Sequence, residues 1–324
     1  MTSSQPTRPR RQAEDRQRPQ PKPNREARPP RPQGEESGSW EHVAEWYDSL
    51  AAHKGTDYHQ GIIIPGVLRL LELRRGERAL DVACGQGAVS RALEKAGAEV
   101  IGVDLSPSLV KMARQRSGKA ISYLVGDARD LREALPEGDA FDAAVYVLAL
   151  ENLDTVEPVF AECARLLKGG GRVVIVTVHP AFRIPRQSSW GWDEAQQQMF
   201  RAVNVYLSPL KIPIDLHPFR ETERKQVTWT YHRPIQAYVN GLTQAGLWVN
   251  ALEEWPSHRV SQPGPRAKAE NRAREEFPMF LALRAVKTPP TLPRADQAAQ
   301  RPEERGRYAR NAGGSKLGTE SSMG

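Results

Sequence analysis

The residues with the clearest chemical potential surround a glycine-rich turn, Gly85-Gln86-Gly87, that follows a short apolar run. Glycine lets the backbone approach a ligand closely, so a strand, this turn and a helix predict a nucleotide-cofactor site. Asp81 stands four residues before the turn. Its carboxylate would repel a pyrophosphate but suit a cationic amino group. Position 90 is serine, not the third glycine or alanine of dinucleotide sites, and no phosphate-cradling Gly-Lys-Ser/Thr pattern occurs.

Two further aspartates follow predicted strands in the same order. Asp104 stands 23 residues after Asp81, where a carboxylate can accept hydrogen bonds from both ribose hydroxyls. Asp127 follows the third predicted strand and can accept from an adenine amino group. Any one of the three could instead cap a helix. As a set they describe a ligand with an amine, a ribose and an adenine but no phosphate, which indicates S-adenosylmethionine.

Residues 39–286 resemble the class I S-adenosylmethionine-dependent methyltransferases, in particular their methyltransferase type 11-like domains. Five segments carry the resemblance: Leu80–Gly87, Val103–Ser106, Gly126–Ala128, Phe141–Val145 and Leu166–Gly171. The family usually has a proline where this chain has Gly169 or Gly170. The resemblance implies an α/β, Rossmann-like, doubly wound sheet of seven strands in the order 3-2-1-4-5-7-6, with the last strand antiparallel.

The resemblance also implies where the cofactor is held. We expect it to contact Asp81, Gly85, Gly87, Asp104, Leu105, Asp127, Ala128, Val147 and Tyr47. In the family, the glycines contact the methionine part, Asp104 the ribose, and Asp127 with Ala128 the adenine. The segment Trp46-Tyr47-Asp48 resembles the helical region that covers the cofactor, where Tyr47 either contacts the cofactor or serves in packing.

The acceptor of the methyl group should bind at the carboxyl ends of the fourth and fifth strands, because ligands of open α/β sheets bind there. His179 is our first candidate for a general base, since an imidazole titrates near neutral pH. It could instead cap the strand end or pack on Phe182. Glu151 could orient a cationic acceptor or remain a solvated loop carboxylate, and Tyr146 is a third candidate. Because the donor is already activated, positioning for in-line displacement can supply most of the acceleration.

An insertion, residues 181–232, separates the fifth strand from the next helix. It holds eight of the 22 aromatic residues of the chain, which fits either a cap over an apolar pocket or a small satellite core. The segments His179–Phe182 and His232–Pro234 flank it and resemble the branch of the family that acts on small molecules. We therefore predict a small-molecule acceptor.

The elements that must position these residues alternate between strand and helix from Arg78 onward, which predicts a parallel sheet with covering helices. We predict strands at 79–83, 99–103, 121–125, 141–147, 172–178, 248–253 and 277–286. Ser106 and Pro107 predict a helix start, and Asp154 with Glu157 a capping box. The polar helix predicted at 266–276 could touch RNA, but its three carboxylates favour a solvated face.

The positive charge of the chain lies outside the predicted domain. The net charge of +7 divides into +4 in residues 1–38, +3 in residues 287–324 and zero in residues 39–286. Both ends are rich in proline and polar residues, which predicts disordered tails. They are either inert or weakly attracted to a polyanion such as RNA.

Several classes of protein are disfavoured. There is no secretory signal pattern and no apolar run long enough for a bilayer. The two cysteines lack the spacing of a zinc site or a disulfide framework, and no histidine or carboxylate cluster predicts a metal. We expect a cytoplasmic enzyme without a membrane partner. An RNA methyltransferase using the basic tails and a non-catalytic cofactor-binding regulator remain the alternatives, and nucleic acid is not the expected partner of the domain itself.

Overall fold

The computed structural model of the protein describes residues 56–135, 140–215 and 227–287. Tyr47 and nearly all of both predicted tails lie outside these ranges. No helix within the described ranges is long and apolar enough to cross a membrane.

Seven strands form the central sheet: β1 (Arg78–Val82), β2 (Glu99–Asp104), β3 (Ser122–Val125), β4 (Phe141–Val147), β5 (Leu167–Val178), β10 (Trp248–Trp255) and β11 (Phe280–Val286). Their spatial order is β3-β2-β1-β4-β5-β11-β10. Strands β1 to β5 pair in parallel, whereas β11 runs antiparallel to both β5 and β10. The predicted fold class, strand order and antiparallel last strand are confirmed.

Within the described ranges, the helices of at least eight residues are α1 (Ile64–Leu71), α2 (Ala88–Lys95), α3 (Pro107–Arg116), α4 (Glu157–Leu166), α5 (Ile235–Gln244) and α6 (Ala267–Glu276). A π-helical turn, His59–Ile63, leads into α1, and a short 3-10 turn, Leu150–Asn152, follows β4. Ser106 caps α3 as predicted, because its Oγ accepts a hydrogen bond from the Leu109 N–H at 3.2 Å.

Two apolar cores cover the two faces of the sheet. Side chains of α1, α2 and α3 form one core, and those of α4 and α5 form the other. Strand β4 serves both, because successive side chains of a strand point to opposite faces. Ala143 and Val145 face the first core, and Phe141, Ala144 and Tyr146 face the second. This alternation decides which β4 residues can reach a ligand.

The insertion folds as two antiparallel hairpins. The first pairs β6 (Ser188–Asp193) with β7 (Gln198–Val203), and the second pairs β8 (Leu210–Asp215) with β9 (Val227–His232). In the first hairpin, Trp190 packs edge-on against Phe277, just beyond α6, so this part of the insertion builds a satellite core.

Two local predictions are wrong. Asp154 and Glu157 form no capping box, because α4 begins at Glu157 and Asp154 instead accepts a hydrogen bond from the Thr155 N–H at 2.9 Å. The sequence also predicts that Gly169-Gly170-Gly171 ends this helix, and the structure does not agree. The helix ends at Leu166, and the strand already begins at Leu167, with Gly170 at a φ of +77°.

Candidate functional site

Two clefts lie at the carboxyl edge of the sheet, where open α/β sheets bind their ligands. Their volumes are about 420 and 680 Å³, including the space at their open mouths. The first, which we call the cofactor cleft, has a volume of about 680 Å³. Its lining comprises Ala83, Gly85, Asp104, Leu105, Leu109, Gly126, Asp127, Ala128, Val147, Leu148, Ala149, Asn152 and Leu153. These residues come from the ends of β2 and β4, from the first turn of α3 and from the segments that follow β1 to β4.

Asp104 links two of these turns. Its Oδ2 accepts a hydrogen bond from the Gly85 N–H at 2.8 Å, and its Oδ1 accepts one from the Ser106 N–H at 2.9 Å. The carboxylate is thereby oriented at the mouth of the cleft, although the residue is only 7% exposed. Gly87 begins α2 at a φ of +81°, and a Cβ there would overlap the Tyr123 hydroxyl, so the turn requires glycine.

Asp81 lies behind the glycine turn and does not line the cofactor cleft. It is buried, and the Ser90 hydroxyl donates a hydrogen bond to its Oδ2 at 2.5 Å. Burial raises the pKa of the Asp81 carboxyl to about 7. A cationic group nearby would favour the ionised form of this carboxyl group. The interaction of Asp81 with the amino group of a cofactor stays a prediction.

Asp127 and Arg129 form an ion pair at the rim of the cofactor cleft. Arg129 donates from Nη2 to the Asp127 carboxylate at 2.7 Å and from Nε to both of its oxygens. These hydrogen bonds lower the pKa of Asp127, with burial opposing them. Sequence reasoning missed Arg129, and its position two residues after Asp127 was the only signal.

The structure therefore brings six of the predicted cofactor residues into one cleft: Gly85, Asp104, Leu105, Asp127, Ala128 and Val147. Their chemistry fits S-adenosylmethionine. Carboxylates are placed to accept hydrogen bonds from hydroxyl and amino groups, and apolar side chains such as Leu109 and Leu153 can cover an adenine. Which atom each residue contacts stays a prediction, and Tyr47 lies outside the described residues.

The second cleft, which we call the acceptor cleft, has a volume of about 420 Å³. It lies between the end of β5 and strand β9, and its lining comprises Glu151, Thr177, Val178, His179, Pro180, Arg183, Ile184, Pro185, Thr230, Tyr231, His232, Arg233 and Tyr238. The 3-10 turn joins it to the cofactor cleft, since Glu151 lines one and Asn152 lines the other.

Glu151 is the one acidic residue in the lining of the acceptor cleft as the described residues define it. The Thr177 hydroxyl donates to its Oε2 at 3.1 Å, and the Thr230 hydroxyl donates to its backbone carbonyl at 3.2 Å. Burial raises the pKa of the Glu151 carboxyl to about 7, with the Thr177 hydrogen bond opposing this. A carboxyl group with this pKa exchanges protons readily near neutral pH.

The two ring nitrogens of His179 both take part in hydrogen bonds. Its Nδ1 accepts hydrogen bonds from the N–H groups of Ala181 and Phe182, at 3.1 and 3.3 Å. The proton therefore resides on Nε2, which donates to Glu254 at 2.7 Å. The ring also packs on Phe182, with centroids 4.9 Å apart. Both ring nitrogens are engaged in this way, which favours the alternative that His179 caps the end of β5, and its role as a general base stays a prediction.

Tyr146, the third catalytic candidate, lines neither of the two clefts. Its side chain is fully buried in the core beneath α4, and its hydroxyl contacts the Val159 carbonyl at 3.5 Å. Burial raises the pKa of the phenol well above its usual value. Its position in β4 sends the side chain to the face of the sheet and not past its edge.

Arg233 lies in a segment that the sequence analysis named, but the sequence did not indicate its function. Its side chain is buried and donates to the carbonyls of Leu150, at 3.2 Å, and of Leu153. It thus holds both ends of the 3-10 turn that separates the two clefts. The signal was its place in His232-Arg233-Pro234, directly after the second hairpin.

Comparisons with known proteins agree with this geometry. Residues 80–175 match the family model described as a methyltransferase domain. The chain is 34% identical over 137 residues to a ubiquinone biosynthesis O-methyltransferase of Xanthomonas oryzae pv. oryzae, which covers 41% of this chain and 56% of that protein. A protein of the same name from Xylella fastidiosa is 38% identical over 107 residues, covering 32% and 43%. The chain thus spans about half the length of these relatives.

Solved structures extend the likeness beyond the matched segment. An S-adenosylmethionine-dependent methyltransferase from Mesorhizobium loti superposes with a TM-score of 0.54 at 26% identity, over 68% of this chain and 96% of that one. A structure from Listeria monocytogenes, at 22% identity and a TM-score of 0.50, supports the fold alone. Residues 80–175 therefore match a methyltransferase domain, and the strand order and the cofactor cleft agree with the fold of the class I S-adenosylmethionine-dependent methyltransferases.

Proposed function

We propose that this protein transfers the methyl group of S-adenosylmethionine to a small molecule bound in the acceptor cleft. The observation that carries the proposal is the shared 3-10 turn, Leu150–Asn152, which contributes Glu151 to one cleft and Asn152 to the other. A donor and an acceptor bound in the two clefts would lie on either side of one short turn. The Xanthomonas and Xylella relatives are O-methyltransferases by name, which supports an oxygen atom as the methylated site.

The residues of the chain would contribute position and a proton acceptor. S-adenosylmethionine supplies an electrophilic methyl carbon on a sulfonium sulfur. When the acceptor atom bonds to that carbon, the bond between carbon and sulfur breaks, and the sulfur remains in a neutral thioether. Asp104 and the Gly85 turn hold one partner, and the apolar walls of the acceptor cleft hold the other. Glu151 takes the proton that an acceptor hydroxyl releases, while Thr177 fixes its carboxyl group.

The decisive experiment incubates the protein with S-adenosylmethionine labelled in the methyl group. A small-metabolite extract and total RNA serve as separate acceptor pools. We expect label in a small molecule and not in RNA. Glu151→Gln should lower the transfer rate about a hundredfold, because a positioned base contributes on the order of 10²-fold or more.

Glu94→Gln, an exposed carboxyl on α2, is the matched control and should retain full activity. Label in RNA alone would favour the alternative that uses the basic tails. Cofactor binding without transfer to either pool would favour the non-catalytic regulator. Full activity of Glu151→Gln would remove Glu151 from the reaction.

A further inference from the structure

Arg183 lines the acceptor cleft, yet neither the cofactor nor the methyl transfer uses it. Its Nε donates to the Pro278 carbonyl at 3.1 Å, and its Nη2 donates to the Phe277 carbonyl at 3.0 Å. Its guanidinium also lies 5.2 Å from the centroid of the Trp190 ring. The side chain is therefore held in place at the wall of the cleft by neutral partners.

No carboxylate balances this charge. Across the described ranges, Arg183 forms no ion pair with an aspartate or glutamate. The guanidinium groups of Arg201 and Arg274 disfavour its charge, whereas Tyr58 has the opposite effect. Burial and then the Arg201 guanidinium lower the pKa of Arg183 to about 10. A partly buried charge without a counter-ion is costly, and an anionic ligand would relieve that cost.

Arg201 adds to the same positive field from outside the cleft. It donates from Nε to the Phe182 carbonyl at 2.7 Å and from Nη2 to the Ser188 hydroxyl at 2.7 Å. Its guanidinium lies 5.0 Å from the Trp190 centroid, so two arginines share one indole ring. Within the described part of the chain Arg201 also has no acidic partner.

The rest of the cleft is apolar and small. Val178, Ile184 and Pro185 supply hydrocarbon walls, which suit the apolar part of a small ligand. Glu151 is the only acidic group in the described lining, which also holds two arginines, Arg183 and Arg233. Arg233 is committed to the carbonyls of Leu150 and Leu153, which leaves Arg183 as the cation considered for a ligand.

We infer that the acceptor is a small anion: a mainly apolar molecule that carries a carboxylate, which pairs with Arg183, and a separate hydroxyl, which faces Glu151. This inference rests on the proposed function and specifies the substrate class of the same site. A guanidinium is suited to a carboxylate because its planar fork can donate two parallel hydrogen bonds. The opposing interpretation is that Arg183 only stacks on Trp190 and ties down the segment before β11.

The test uses benzoate as an anionic probe and benzamide as its neutral counterpart of the same shape. Binding to the full chain saturated with S-adenosylhomocysteine is measured by calorimetry. We expect benzoate to bind at least about tenfold more tightly than benzamide, and Arg183→Gln to abolish that preference. Arg183→Lys, which keeps the charge but loses the fork, should retain part of it.

Arg201→Gln is the matched control, since it removes a cation from the same indole ring without altering the lining of the cleft. Its benzoate affinity should stay within about threefold of the unmodified protein. Equal affinity for the two probes, no benzoate binding at about 10 mM, or an unchanged preference in Arg183→Gln would each overturn the inference. The affinity of each variant for S-adenosylhomocysteine reports whether it is folded.

The outcomes separate this inference from the function beneath it. If methyl transfer occurs but only to neutral or cationic small molecules, the anionic acceptor is wrong and the proposed function stands. If S-adenosylmethionine does not bind, or no small molecule is methylated, the proposed function itself fails.

Discussion

Glu151 and His179 follow neighbouring strands, yet their surroundings give them opposite properties. The ring nitrogens of His179 are both engaged, by backbone N–H groups on one side and Glu254 on the other, and burial lowers the pKa of the imidazole. Glu151 has a single hydroxyl donor to its carboxylate and a pKa raised to about 7. Whether a side chain can accept a proton from a substrate therefore depends less on its residue type than on the hydrogen bonds that surround it.

The raised pKa of Glu151 has a measurable consequence for stability. The folded protein favours the protonated carboxyl, so its contribution is fully favourable below the ordinary pKa of 4.5 and is lost as the pH rises towards about 7. Near pH 4, Glu151→Gln should have the same free energy of unfolding as the unmodified protein. Above pH 7 it should be more stable by about 2 to 3 kcal/mol.

Denaturant unfolding at a series of pH values measures this difference. Glu94→Gln, at an exposed position on α2, is measured alongside as the control substitution. A constant difference between Glu151→Gln and the unmodified protein from pH 4 to pH 8 would contradict a raised pKa.

Among the elements, the 3-10 turn Leu150–Asn152 depends most on a single distant side chain. Arg233 donates to the carbonyls at both ends of this turn from a position more than 80 residues later in the chain. Arg233→Met should destabilise the protein by about 2 to 4 kcal/mol, since it leaves buried carbonyl groups without donors. Thermal unfolding followed by calorimetry measures the loss.

Arg132→Met serves as the comparison for Arg233→Met. Arg132 is 69% exposed at its side chain and pairs with Asp130 at 3.3 Å and with Glu162 at 3.7 Å, a carboxylate that Arg165 also binds at 2.8 Å. Its removal should change the free energy of unfolding by no more than about 0.5 kcal/mol. Equal effects of the two substitutions would show that Arg233 does not hold the turn.

At the scale of elements, sequence reasoning predicted what local patterns determine. The glycine turn, the Ser106 cap and the continuous apolar run of β4 placed the sheet and its edge correctly. It missed contacts that join distant segments, such as Arg233 with the 3-10 turn. It also placed Tyr146 in the site, because the direction of a side chain depends on which face of the strand is buried.

The insertion shows the same limit. Its aromatic residues indicated a cap or a satellite core, and the two hairpins divide these roles. Strand β9 lines the acceptor cleft through Thr230 and Tyr231, whereas Trp190 in β6 packs against Phe277. Composition predicts that such a segment is folded, but the pairing of its strands decides which hairpin meets which neighbour.

For the molecule as a whole, the net positive charge lies outside the residues of the methyltransferase domain. Residues 39–286 have a net charge of zero, and the formal charge of +7 belongs to the two ends of the chain. Deleting residues 1–38 and 288–324 should leave the melting temperature within about 2 °C and the affinity for S-adenosylmethionine unchanged. Any affinity of the full chain for RNA at low salt should disappear with the same deletion.

Calorimetry of the shortened and full chains measures these quantities. A fall of about 10 °C in the melting temperature, or a large loss of cofactor affinity, would show that the terminal segments contribute to the folded domain. RNA binding that survives the deletion would place a nucleic-acid surface on the domain itself.

The turn between the clefts has one more consequence, for the communication between donor and acceptor. Because Leu150–Asn152 and the adjoining Leu153 border both clefts, any ligand that favours one arrangement of this turn alters the free energy of binding in the other cleft. Thermodynamic reciprocity requires the two effects to be equal. Arg233, which donates to the carbonyls of Leu150 and Leu153, would limit how far the turn moves when a ligand binds in either cleft.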